Sequence, residues 1–97
     1  MSEVIVQREA DEELTAAAIF YEQRESGLGG DFLDELEYWF AQLKEFPSAG
    51  GILFDNYRSV FIQRFPFSIV YQIEGDTVYV VAVAHTSRRP GYWLKRK

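Results

Sequence analysis

The sequence predicts an α+β fold in which a short N-terminal strand and a two-helix hairpin pack on a twisted antiparallel sheet. Three observations carry that expectation. Two segments of the first half repeat their apolar residues with the period of a helix. The second half holds three runs dense in aromatic and β-branched residues, and Gly75-Asp76, a two-residue hairpin signal, separates the last two of them. Ninety-seven residues at 47% hydrophobic content suffice for one core and not two, so residues 1–97 are expected to form a single domain.

Val4-Ile5-Val6 is short and β-branched and reads as the opening strand. A helix is expected from about Glu9 to Ser26: acids crowd its first turn, where they complement the helix dipole, and Leu14, Ala17, Ala18 and Tyr21 share one side. Gly27 stops it, because glycine tolerates the left-handed conformation that ends helices. A second helix, from about Gly29 to Phe46, aligns Phe32, Leu36, Trp39, Phe40 and Leu43, and Pro47 cannot continue its hydrogen-bond ladder. Residues 48–56, rich in Ser, Ala, Gly and Asp, read as a connecting loop. Strands follow at Tyr57 to Phe65, Phe67 to Glu74 and Thr77 to His85, a three-stranded meander, and a short helix or turn closes the chain.

With Gly75 and Asp76 as the turn, residues whose numbers sum to 151 face each other. Ile73 with Val78, Tyr71 with Val80 and Ile69 with Ala82 should then cover the helices. Ser68 pairs with Val83 on the opposite face, where His85 is expected beside it.

With no cysteine, neither disulfides nor thiolate metal ligation enters the fold, and redox chemistry is not expected. The lone histidine cannot join a multi-histidine metal site, and the acids show no metal-ligand spacing. No cofactor is expected. The start of the sequence lacks a basic segment leading into an apolar one, and the longest apolar run, Val78 to Ala84, is too short to cross a bilayer, so a cytoplasmic protein without membrane partners is expected. Charge is divided between the halves: residues 1–46 carry twelve acids against three bases, residues 47–97 three acids against seven bases. The net charges are −9 and +4, which places a basic strip on an acidic scaffold.

The order of these elements, together with Tyr21-Glu22, the run from Gly27 to Leu36, Arg64-Phe65-Pro66-Phe67-Ser68-Ile69-Val70-Tyr71 and His85-Thr86-Ser87-Arg88-Arg89-Pro90-Gly91-Tyr92-Trp93, resembles the RelE/ParE superfamily of bacterial toxins. The resemblance spans almost the whole chain. It implies the toxin of a type II toxin–antitoxin system, of the plasmid-stabilisation kind, bound and neutralised by a cognate antitoxin. It also implies one of two poisons. RelE-like members cleave mRNA on the ribosome, which needs a proton acceptor, a proton donor and cations for the phosphorane; His85, Arg88 and Tyr92 are the candidates here. Ser68 stands where ribonuclease members often carry arginine, and Gly50 to Asp55 replaces a lysine-rich stretch; both departures count against cleavage. ParE-like members instead bind and block DNA gyrase, which needs a contact surface alone. For that task the binding residues are Arg58, Arg64, Arg88, Arg89, Tyr92, Trp93, Lys95 and Arg96, with Lys97 extending the tail, since Arg and large aromatics anchor interfaces. The gyrase-binding reading is preferred. A third reading is an inactive domain that keeps only its antitoxin contacts, which are expected on the sheet face and the tail.

Each candidate also has a plainer structural role. His85 suits a local hydrogen bond that orients the turn, Arg58 and Arg64 suit surface pairs with Glu74 or helix acids, and Trp93 suits packing against the sheet.

Overall fold

Apolar periodicity in the first half and β-rich runs in the second become, in the computed structural model, two helices on one face of a sheet. Residues 2–96 are described. In chain order they form β1 (Glu3–Val6), α1 (Arg8–Arg24), α2 (Leu28–Glu45), a 3-10 turn (Pro47–Ala49), β2 (Gly51–Phe54), β3 (Tyr57–Phe61), β4 (Phe67–Glu74) and β5 (Thr77–His85). Both helices fall within two residues of their expected bounds. The expected α+β architecture is present.

The helical hairpin closes through its own side chains. Gly27 takes φ +89, and the Glu22 carboxylate of α1 accepts the Gly27 and Gly29 N–H groups at 2.9 and 3.0 Å, capping the start of α2. A Cβ on Gly29 would stand 2.5 Å from the Ala18 carbonyl oxygen, so the helices approach this closely only because the residue is glycine.

The expected apolar stripes of both helices face the sheet. Phe32, Leu36 and Leu43 are at most 1% exposed, and Phe32 meets Phe65 and Phe67 at 5.2 Å and Tyr21 at 5.5 Å. This aromatic cluster joins both helices to β4, and Phe32→Ala at its centre would cost about 3–5 kcal/mol.

The sheet departs from the expected meander in three ways. It has five strands in the order β1-β5-β4-β3-β2, and β1 runs parallel to β5, so the sheet is mixed. Residues 48–56 are not all loop: Gly51–Phe54 pairs with β3 as an edge strand. Its four residues are all exposed, so no burial alternation marks it in sequence. Asp55, at φ +54, supplies the tight reversal into β3. Finally, β3 ends at Phe61 and not Phe65, because the chain bends through residues 62–66, where Phe65 enters the core and Gln63 N–H donates to the Glu35 carboxylate of α2 at 2.7 Å.

The β4–β5 register follows the 151 rule from Glu74 only as far as Tyr71 opposite Val80. Val81 is then an extra residue on β5, a bulge, and beyond it Val70 faces Ala82, Ile69 faces Val83 and Ser68 faces Ala84. The slip exchanges the faces. Val83 joins the helix-side core, while Val81, Ala82 and Ala84 pack on the far side with Tyr57, Val70 and Trp93. The expected pairings of Ile69 with Ala82 and of Ser68 with Val83 are therefore incorrect. His85 is the cross-strand partner of Phe67, and its ring meets the Phe67 ring at 5.1 Å.

Candidate functional site

Beyond β5 the chain folds back across the far face of the sheet in a series of turns. The Thr86 N–H donates to the Pro66 carbonyl at 2.8 Å, and the Arg88 N–H to the His85 carbonyl at 3.0 Å. Gly91, at φ +81, and the hydrogen bonds from Leu94 N–H to Gly91 and from Arg96 N–H to Trp93 continue the path. Trp93 is the apolar anchor: it is 4% exposed, with its ring 4.6 Å from Tyr57. This large buried side chain holds the segment to the sheet.

The polar anchor is Glu13, on α1. Its Oε1 accepts the Val83 N–H at 3.0 Å and Arg96 Nη1 at 2.9 Å; its Oε2 accepts Arg96 Nη2 at 3.0 Å and the Tyr92 hydroxyl at 2.5 Å. The reason lies in the sheet. β1 pairs with β5 only as far as Val6 opposite Val80, which leaves the second half of β5 without a strand on that side. Gln7 N–H reaches the Val80 carbonyl, Arg96 Nη1 reaches the Val81 carbonyl at 3.2 Å, and Glu13 takes the Val83 N–H. The ion pair thus completes the ladder where the backbone does not.

Tyr92 lies under two guanidinium groups, with Arg88 Cζ 3.8 Å and Arg96 Cζ 5.0 Å from its ring centroid. Burial, then the hydrogen bond to Glu13 and the charge of Glu13, push the Tyr92 phenol far above its ordinary range, against the weaker opposing pull of the two arginines. The hydrogen bond to Glu13 likewise raises the Arg96 guanidinium, outweighing its own burial.

His85 is half-buried at the rim. Its Nδ1 accepts the Ser87 N–H at 3.0 Å, with the Ser87 hydroxyl 2.8 Å away. A ring nitrogen that accepts from a backbone N–H carries its lone pair there, so the neutral imidazole holds its proton on Nε2.

Together these elements line a groove of about 440 Å³ on the face turned away from the helices. Leu53 and Phe54 of β2 and Phe61 of β3 form one wall, and Pro90, Trp93 and Leu94 the other. Arg88 and Arg89 edge it. Of the sequence-predicted site residues, His85, Arg88, Arg89, Tyr92 and Trp93 all line this groove, whereas Arg96 turns inward to Glu13. Lys95 is exposed on the same segment, and Lys97 lies outside the described residues. Arg58 and Arg64 stand apart. Arg58 Nη1 donates to the Gly50 carbonyl at 2.8 Å, and Arg64 pairs with Asp31 of α2 at 3.5 Å on the surface. Sequence reasoning missed Glu13, whose place in an acidic first turn looked like dipole complementarity; Leu53 and Phe54, whose only signal was an apolar triplet between Gly51 and Asp55; and Phe61, which read only as one residue of an aromatic-rich strand. Among the described residues no group of three His, Cys, Asp or Glu side chains could hold a metal ion, and no helix is long and apolar enough to cross a membrane.

The architecture is thus a hairpin of helices on a mixed five-stranded sheet, with a basic C-terminal segment folded over the open face. A solved structure described as the chromosomal ParDE toxin–antitoxin system from P. aeruginosa superposes with a TM-score of 0.65 over 90% of this chain and 98% of that one, at 17% identity. Likeness at that identity speaks to the fold alone. In sequence, residues 4–90 match the family described as the ParE toxin of the type II toxin–antitoxin system, parDE, and the chain belongs to that family. Comparison with curated proteins gave no match.

Proposed function

We propose that this toxin acts by binding, with DNA gyrase as its target, that the groove and its basic rim form the contact surface, and that a cognate antitoxin neutralises it by covering that surface. The observation that carries this reading is the state of the three residues a ribonuclease would use. The Tyr92 hydroxyl donates to Glu13, and His85 Nδ1 accepts the Ser87 N–H, so both groups are engaged within the fold. Arg88 is stacked on Tyr92 and remains available as a surface cation. Acid–base cleavage of RNA needs a free acceptor and a releasable donor, and this arrangement offers neither without being dismantled. An interface needs apolar anchors within a polar rim, which Leu53, Phe54, Phe61 and Leu94 beside Arg88 and Arg89 supply.

Purified gyrase tests the proposal. Supercoiling should fall as the protein is added and recover when a cognate antitoxin is supplied. Cleavage of messages on translating ribosomes, lost in His85→Ala or Tyr92→Phe, would instead assign the chain to the ribonuclease mechanism.

A further inference from the structure

We propose that Glu13 is a positioning residue for the basic strip: from the opposite half of the chain, its carboxylate fixes the Tyr92 ring and, through that ring, the pose of the Arg88 guanidinium. The assignment rests on reading the C-terminal segment as the face that meets the target.

The geometry forms a chain of three contacts. The Glu13 carboxylate is only 16% exposed and is held from two sides by the forked contact of Arg96 and by the Val83 N–H, so its position is set by α1 and β5 together. The Tyr92 hydroxyl donates to Oε2 of this fixed group, which sets the tilt of the ring. Arg88 is exposed, yet its guanidinium lies 3.8 Å from the ring centroid. A long exposed arginine ordinarily samples many rotamers, and freezing them costs free energy on binding. A ring held in place beneath the guanidinium restricts Arg88 in advance. Tyr92 therefore acts as a platform, and Glu13 supplies the fixed point beneath it.

Two variants separate this role from simple support of the fold. Glu13→Gln removes the charge that orients both Tyr92 and Arg96. Tyr92→Phe leaves the Glu13–Arg96 pair intact and removes only the tie between ring and carboxylate. The first readout is NMR of the free protein, in which the Arg88 side-chain protons of the wild type should be displaced upfield by the ring current of Tyr92. That displacement should be lost in Glu13→Gln and reduced in Tyr92→Phe, while the signals of the Phe32 cluster stay in place. The second readout is supercoiling inhibition, which should weaken about tenfold in both variants, as expected when an arginine anchor loses its preset pose. An unchanged Arg88 signal in both variants overturns the proposal, and so does a lost signal with undiminished inhibition. If wild-type protein fails to inhibit gyrase at all, the functional reading fails, and the NMR comparison alone still decides whether Glu13 positions Arg88.

Discussion

Glu13 and Arg96, 83 positions apart in sequence, meet in a two-pronged ion pair at 2.9 and 3.0 Å, with the two side chains 16% and 19% exposed. Glu13 takes four hydrogen bonds in all, so removing Arg96 leaves a poorly hydrated carboxylate with unused lone pairs and exposes the Val81 carbonyl. The cost is governed less by the lost attraction than by the charge left behind. Arg96→Ala should therefore lower unfolding free energy by about 2–3 kcal/mol. Arg64 offers the contrast: its pair with Asp31 is long, 3.5 Å, and the side chains are 60% and 48% exposed. Water screens such a pair, and Arg64→Ala should change stability by less than about 0.5 kcal/mol. Urea midpoints for the two variants check both values, and equal effects would contradict the ranking.

That contrast also shows where sequence reading reaches its limit. The helices were legible because Phe32, Leu36 and Leu43 repeat on one side, a local pattern that tertiary structure leaves intact. The bulge was not, because Val80 and Val81 are chemically the same residue and nothing local says which of them is extra. One unmarked insertion moved Ala82 to the far face and gave Ser68 Ala84 in place of Val83 as its partner. Glu13 was hidden for a different reason: its partners lie 70 to 83 positions away, while its neighbours Glu9, Asp11 and Glu12 gave it an adequate local explanation as dipole complement. Arg88, Arg89, Tyr92 and Trp93 were found together because they are adjacent in sequence. Arg58 and Arg64 were grouped with them on charge alone, and charge does not specify a face.

Alkaline pH should expose the Tyr92 contact. Its phenol ionises above the ordinary 10.0 because burial, and then Glu13, disfavour the anion. A folded pKa above the unfolded one means that the native state holds the proton longer. The stabilising contribution is complete below the unfolded value and is lost as pH rises through the folded one. Wild-type stability should accordingly begin to fall as pH passes about 10, and Tyr92→Phe should flatten part of that decline. Tyr21 and Tyr71, whose phenols are also raised chiefly by burial, should retain the remainder. Denaturation midpoints measured across the alkaline range, with the phenolate absorbance followed in parallel, give the comparison. An identical slope in the variant would remove Tyr92 from the account.

The groove allows a separation of binding from folding. Phe61 and Phe54 are 68% and 58% exposed, and Ile19, on the outer side of α1, is 54% exposed. Since none of the three is needed to fill the core, Phe61→Glu, Phe54→Glu and Ile19→Glu should each alter stability by no more than about 0.5 kcal/mol. Their effects on inhibition should diverge. A carboxylate introduced at Phe61 or Phe54 removes apolar lining and puts negative charge into the groove that Arg88 and Arg89 also line, which would weaken the local field a partner meets. Supercoiling inhibition should then require at least about tenfold more protein, the loss typical of an interface anchor. Ile19→Glu adds the same charge on a surface already dominated by acids and lies outside the groove, so inhibition should remain at the wild-type level. If Ile19→Glu weakens inhibition while Phe61→Glu does not, the target contacts the helices, and the open face of the sheet is left to the antitoxin alone.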